Sequence, residues 1–483
     1  MAVACRACLV IVAGILIHLT LGTLYTFGNL TPYLTSYIRK RSSPSDLTYG
    51  QSVWINAVAA MGQGASMFFG GLMEKRLGPR LTVLLGAWFQ SLGVMLTYFA
   101  IQYSFAATTI TYGLMFGLGI GIAYAVPMAV GMRWLPKRKG LVNGCVVAGF
   151  GGGAFIFDQI QTAYINPNNL SPDLTINGDK FFTQDDILDK VPMMFIILGG
   201  TYAVMQLIGC LLLTNPPDLP VSYFQLAPSD EENSPMIPES ESGDSRESPE
   251  QGAAAPASVN SSSKSTEQLV ERSTEPIDEN CVSPRDVFKE PAFYILWFIF
   301  LVNGQGVQFI SSLYKAYGQT FIKDDVFLAW VGALAAVCNA GGRIMWGSFA
   351  DRYSFKVAMM CLCCLFTVLM LTLGVTSLAG RWMFLVWICL LFLAFSGSFS
   401  LMPTACARSF GQTHYAKNYG LLFTSQVITS PISAVLTSSL KSAIGWYGMF
   451  YMVAAFSFIR NYVMTTMPSK AGQTIKPRMK SNG

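Results

Sequence analysis

The sequence predicts an all-α membrane protein with twelve transmembrane helices in two six-helix bundles. Three observations carry this. Of 483 residues, 52% are apolar and only 12% charged, against about 25% charged in soluble domains, which excludes a soluble multidomain protein. A spanning helix needs roughly 20 mostly apolar residues, and stretches free of Asp, Glu, Lys and Arg run 7–38, 47–73, 81–132, 140–157, 191–217, 291–314, 326–342, 357–380, 382–407, 418–440 and 442–459. A polar segment between the fifth and sixth of these divides the chain six plus six.

The elements follow in order. The first apolar run is too long for a signal peptide and lacks a small-x-small cleavage site, so it is expected to stay as a helix. The 81–132 stretch is too long for one helix and breaks at Gln102-Tyr103-Ser104, which brings the count to twelve. The last helix runs past Arg460 to Thr466, ahead of Pro468. Residues 1–213 make the first bundle, 286–466 the second, and 467–483 a basic cytoplasmic tail. Between the bundles, 214–285 is expected to be a disordered cytoplasmic linker. Its 228–279 part holds thirteen acids and three bases among Ser and Pro, too little apolar surface to repay ordering. That segment is a plain solvated tether or a site for cytosolic partners and kinases, and Tyr223-Phe224-Gln225-Leu226 resembles a tyrosine-type sorting signal.

Lys and Arg in short loops set orientation. With both termini inside, Lys75, Arg76, Arg80, Arg133, Lys137, Arg138, Lys139, Arg352 and Lys356 fall on the cytoplasmic side. Arg39-Lys40-Arg41 goes against the rule. The acidic loop 165–190 suits the outside and carries the sequon Asn169-Leu170-Ser171. The net charge of +5 is too small for nucleic-acid binding. The eleven cysteines lie in or beside apolar spans without metal-type spacing and read as reduced apolar filler; Cys5 and Cys8 are membrane-edge thiols or palmitoylation sites. No phosphate-cradling loop, metalloprotease helix or nucleophile elbow occurs, so neither an enzyme nor a cofactor or metal requirement is expected.

The two halves repeat a pattern: Gly70-Gly71-Leu72-Met73-Glu74-Lys75-Arg76-Leu77-Gly78-Pro79-Arg80 after helix 2, and Gly342-Arg343-Ile344-Met345-Trp346-Gly347-Ser348-Phe349-Ala350-Asp351-Arg352 after helix 8. These resemble the loop signatures of the major facilitator superfamily. Arg133-Trp134-Leu135-Pro136-Lys137-Arg138-Lys139-Gly140, with the glycines from Gly144 to Gly153, resembles the oxalate/formate antiporter family, itself related to the monocarboxylate transporters. The resemblance implies the major facilitator fold, transport by rocking of two halves, and a charged gate of Glu74, Arg80, Arg138, Asp351 and Arg352. In the first copy Glu74 replaces the usual Asp, and one extra residue precedes Gly78. The fourfold-spaced glycines of helices 4 and 5 either pack statically or, for Gly149 and Gly153, face Gly341-Gly342 across a sliding interface.

Arg343 lies eight residues before Asp351, about 12 Å deeper in the span, where a charge costs about 2.5–3.5 kcal/mol on insertion scales. Its planar fork matches a carboxylate. In both resembled families an arginine of helix 8 contacts the substrate carboxylate; a structural bond to a helix carbonyl or to the gate is the alternative. The families' second basic group is missing: Asn29 stands where monocarboxylate transporters carry a lysine, helix 11 holds none, and Asn339 replaces an acid. One carboxylate, or a different anion, therefore fits better than a dicarboxylate. Tyr25, Asn29, Asn303, Gln305, Gln308, Ser396, Ser398 and Ser400, on helices 1, 7 and 10, line the cavity or bridge helices. His18 and Asp158 are proton-coupling candidates, with a neutral hydrogen-bonded histidine and contact with Arg39 or water as the alternatives. Lys315 and Arg460 are expected to snorkel to opposite surfaces.

The expected function is secondary transport of a small organic anion, a monocarboxylate, by alternating access with proton symport or anion exchange. A carrier of neutral or zwitterionic solutes and a non-transporting receptor or scaffold remain alternatives. The partners are the small anion and the lipid bilayer, with the plasma membrane preferred over an endolysosomal one.

Overall fold

The computed structural model describes residues 2–135, 139–216, 282–411 and 414–466. The 228–279 linker, the 467–483 tail and Arg138 lie outside them, as does the side chain of Asp351. The first half holds α1 (Cys5–Arg41), α2 (Tyr49–Leu77), α3 (Pro79–Tyr103), α4 (Phe105–Trp134), α5 (Lys139–Ile165) and α6 (Val191–Leu212). The second holds α7 (Pro291–Gly318), α8 (Asp325–Arg352), α9 (Phe355–Ala379), α10 (Arg381–Phe410), α11 (415–444) and α12 (446–466). Between α5 and α6 two short antiparallel strands, β1 (Leu174–Ile176) and β2 (Asp179–Phe181), form a hairpin.

Local chemistry sets the ends. Thr48 and Gln51 form a capping box on α2, satisfying orphan N–H groups. Ser104 caps α4 through Ala107 N–H, so the break falls at Gln102-Tyr103-Ser104 as expected. Gly445, at φ 66°, turns the chain between α11 and α12, a left-handed conformation that favours glycine. Among the described residues, nine helical stretches are long and apolar enough to cross a membrane, one of them, Lys417–Met464, spanning both α11 and α12. The helices α2 and α5 complete the twelve. In α2, Ser52, Asn56, Gln63 and Ser66 are buried against neighbours, which lowers its mean hydropathy without exposing polar groups to lipid. The outward-facing surface carries Phe99, Val204, Leu211 and Phe458, each more than half exposed, as a lipid-facing belt requires.

The twelve helices pack as two six-helix bundles within one compact unit. The bundles meet along α5–α8, α2–α11 and α1–α7. An even helix count puts both ends of the helical chain on one face, the termini face; the β-hairpin lies on the other, the hairpin face. Hydrogen bonds between bundles gather at the hairpin face. Asn169 bonds Asp324 (3.0 Å) and accepts from Val326 N–H (3.0 Å), Ser171 donates to Lys323 C=O (2.7 Å), and Lys441 pairs with Asp179 (2.6 Å). The hairpin face is closed in this conformation. The basic run that opposes the orientation rule meets acids there: Lys40 and Arg41 reach Asp185 at 2.9 and 2.6 Å and hold its carboxyl below the usual range.

The glycines of α4 behave as the spacing suggests. Gly113, Gly117 and Gly121 face the α2 backbone, and a Cβ at Gly117 would lie 1.9 Å from Ala59 O. The proposed α5–α8 sliding pair is corrected. Gly149 and Gly153 pack on α1 at Ile15 and Leu19, and Gly342 packs on Leu393 and Ser396 of α10. The close crossing of α5 on α8 uses Gly151, against Asn339 and Ala340.

Candidate functional site

Midway between the faces, where the bundles meet, lies an enclosed cavity of about 40 Å³. The half-half seam supplies its walls: Leu24 and Tyr25 of α1, Asn56 and Gln63 of α2, Tyr124 of α4, Phe150 of α5, Gln308 and Ser311 of α7, Arg343 of α8, Phe399 of α10 and Gln426 of α11. Arg343 is 3% exposed. Its Nε donates to Asn339 Oδ1, one turn earlier on α8, at 3.0 Å, and Nη2 donates to Tyr25 OH at 3.3 Å. Phe150 and Phe399 flank the guanidinium at 5.7 and 5.2 Å. The remaining nitrogen, Nη1, has no partner. The bonded groups are neutral, so the site holds a positive charge and an unused donor beside a small cavity. A buried charge in that condition favours an anion able to accept from the fork.

The other expected residues divide. Tyr25, Gln308 and Arg343 line the cavity, and Asn339 holds Arg343. Gln305 turns to Thr429 C=O on α11 (3.2 Å). Asn29 lies away from the lining, donating to Asp158 C=O, Gln161 and Thr162. Ser396 and Ser400 bond carbonyls of α10 itself, and Ser398 bonds Asn303 at 2.9 Å. His18 is fully buried with Nε2 3.0 Å from Tyr124 C=O. Of the gate residues, Glu74 pairs with Arg133 at 2.6 Å, tying α2 to α4 within the first bundle. Arg80 donates to the Leu211 and Leu213 carbonyls at the end of α6. Arg352 lies over the Tyr353 ring.

Three expectations are overturned. Lys315 is fully buried rather than snorkelling: it pairs with Asp325 at 3.0 Å and donates to Asn29 Oδ1 at 2.8 Å and Tyr33 OH at 3.2 Å. Arg460 is 2% exposed and bonds Asn303, Cys363 Sγ (3.0 Å) and Ser398. Asp158 does not meet Arg39, which donates to Leu47 C=O. The sequence reading also missed Asn56, Gln63 and Gln426. The first two are polar residues seven apart in an apolar span, a spacing that sets them on one helix face; that was the available signal.

The chain matches the family model described as Major Facilitator Superfamily over residues 10–321 and 296–468. The chain belongs to the Major Facilitator Superfamily. It is a multi-pass membrane transporter and not an enzyme. Among relatives, Apicoplast pyruvate carrier 1 of Toxoplasma gondii is 28% identical over 90% of this chain and 84% of its own length. The Oxalate:formate antiporter of Oxalobacter formigenes is 21% identical over 86% and 82%. Monocarboxylate transporter 12-B of Danio rerio is 23% identical over 86% and 78%. The resemblance to oxalate/formate and monocarboxylate carriers therefore holds along most of the superfamily chain. In fold it is similar to the partially occluded inward open xylose transporter XylE from E. coli, with a TM-score of 0.66 at 12% identity, covering 97% of this chain and all of that one.

Proposed function

We propose that this chain carries a small organic anion with one carboxylate, of the pyruvate class, by alternating access. The observation that carries the reading is Arg343: a buried guanidinium with neutral partners, a free Nη1 and a small cavity in front of it. The names of relatives that carry pyruvate, oxalate and formate support the substrate class. A second cation for a dicarboxylate is not on offer at the cavity, because Lys315 is committed to Asp325. Tyr25, Gln308 and the missed Gln63 and Gln426 supply polar contacts for the rest of the solute; Asn339 orients the guanidinium. Coupling is proton symport or anion exchange, with Asp158 and His18 as the titrating candidates.

The gate on the termini face is proposed to use the charged ends of α2 and α8, with Glu74, Arg80, Arg138, Asp351 and Arg352. The loop bases support a cytoplasmic position for that face and for both termini. The plasma membrane is the proposed location, and cytosolic partners or kinases are proposed for 228–279.

Uptake of labelled carboxylates into proteoliposomes tests the reading. Arg343→Ala should lower kcat/KM for a monocarboxylate about 10- to 100-fold, the loss of a charge-assisted bond. Arg343→Lys should recover part of it. Full carboxylate uptake in Arg343→Ala would sink the assignment. Uptake of neutral solutes alone would favour the alternative carrier.

A further inference from the structure

The structure holds a second buried charge cluster, toward the hairpin face, that substrate binding at Arg343 does not use. Lys315 and Asp325, both of the second bundle, form an ion pair with side chains at most 1% exposed. The first bundle caps that pair. Tyr33 bonds Asp325 and Lys315, Asn166 donates to Asp325 at 3.0 Å, and Asn29 accepts from Lys315. Asn29 also donates to the Asp158 carbonyl at 3.2 Å. It thereby ties the pair to the α5 backbone at Asp158.

Asp158 itself is unusual. Its side chain is completely buried, and neither carboxyl oxygen has a hydrogen-bond partner. It lies on α5 and abuts the other bundle at Gly332 of α8, where a Cβ would come 2.4 Å from Asp158 Oδ2 and 2.1 Å from Tyr314 OH. Only glycine leaves room for these two groups. The ionisable side chains that interact with Asp158 are Tyr112 of α4, Tyr202 of α6, and Tyr314 and Lys315 of α7. Lys315 is the one cation among them, and its charge is already met by Asp325.

The closed hairpin face thus buries Lys315 and Asp325 as a neutral pair. A third charge there would have neither counterion nor donor, a state whose desolvation cost exceeds what pairing elsewhere returns. We propose that Asp158 is the protonation-controlled closure group of the hairpin-face gate: the bundles close over Lys315–Asp325 only when Asp158 carries a proton. Opening that face separates Asp158 from Gly332 and Tyr314 and admits water. The carboxyl O–H bond then breaks or forms by exchange with that water, and the proton moves between Asp158 and the hairpin-side solution. On the transport reading above, on which this part rests, each closure over a bound carboxylate takes one proton with it, and the carrier is a proton symporter. Lys315 acts as a positioning residue, neutralising Asp325 so that Asp158 alone decides the net charge of the closing surface.

The test has two readouts, one of them free of any assumption about substrate. Ser312, fully buried on α7 and bonded to Asn56 of α2 at 2.7 Å, sits at the bundle seam. In nanodiscs, an introduced Ser312→Cys thiol, followed by peptide mass, should be protected at acid pH. Modification, normalised at each pH to the rate of a free model thiol so that thiolate formation cancels, should rise several-fold as pH increases and Asp158 ionises. With Asp158→Asn added, protection should stay at the acid level at every pH, and that shared level shows the variant folds. Asp158→Glu should keep the pH dependence. In proteoliposomes Asp158→Asn should retain pyruvate counterflow and lose at least 10-fold of uptake driven by a pH gradient. Modification independent of pH without the Asn substitution, or still pH-dependent with it, overturns the proposal. So does gradient-driven accumulation that survives Asp158→Asn. Absence of carboxylate counterflow together with the expected thiol profile would instead count against the substrate reading and leave the gate standing.

Discussion

Among the described residues, three cations are buried in the spans, and their surroundings assign them different work. Arg343 faces a cavity with a free nitrogen; Lys315 is neutralised by an acid; Arg460 is bonded to Asn303, Ser398 and Cys363 between α7, α9, α10 and α12. Removing Arg460 strands buried polar partners, so Arg460→Gln should destabilise the fold by about 3 kcal/mol while leaving KM for the carboxylate unchanged. Arg343→Ala should do the reverse. Thermal unfolding in detergent, run beside transport kinetics, separates the two; a raised KM in Arg460→Gln would bring that residue into the binding site. Arg343 stood out in the sequence because it lies deep in a span, where charge is costly at any orientation. Lys315 and Arg460 did not, because a base near a span end reads equally as a snorkelling side chain. Only the packed structure brings Asp325, ten residues on and past a turn, back to Lys315.

At the scale of elements, the span boundaries were legible because hydrocarbon excludes charge and because caps and glycines mark the ends: Ser104, Thr48 and Gly445 all sit at breaks. Helix faces were legible where one spacing repeats, as in α4, whose Gly113, Gly117 and Gly121 all meet α2. They were not legible in α5. There Gly144, Gly149, Gly151, Gly152 and Gly153 allow more than one face, and the side chains of two neighbours decide which is used. Gly149 and Gly153 take α1, and Gly151 takes α8. The consequence is testable with one glycine of α4 and one of α8. Gly117→Ala forces a Cβ onto the Ala59 carbonyl and should cost about 1–3 kcal/mol through overpacking. Gly341→Ala, with nothing within 4 Å, should leave stability unchanged. Equal melting temperatures for the two variants would show that the α2–α4 contact yields freely.

At the scale of the whole molecule, the two bundles are joined most firmly at one end. The hairpin contributes Asp179 to Lys441 of α11, in a pair whose side chains are 10–11% exposed, while Phe181 stacks on Tyr49 of α2 at 4.7 Å. Asn169, on the first-bundle side of the seam, caps the N-terminus of α8 through Val326 N–H. The Asp179–Lys441 and Asn169–Val326 contacts cross between the bundles and exist only while the hairpin face is closed, so they weight the equilibrium between the two access states rather than the stability of either bundle. A mostly buried ion pair at the rim of the seam and a helix cap are each worth about 1 kcal/mol, a factor of about five in a two-state ratio. Asp179→Lys and Asn169→Ala should therefore each raise modification of the Ser312→Cys thiol about fivefold at acid pH. The two sites share no partner, so the combined variant should approach 25-fold by additivity. Adding Lys441→Asp to Asp179→Lys restores opposite charges across the seam and should return protection. If Asp179→Lys leaves the thiol as protected as before, the hairpin does not hold the bundles together, and closure belongs to the Lys315–Asp325–Asp158 cluster alone.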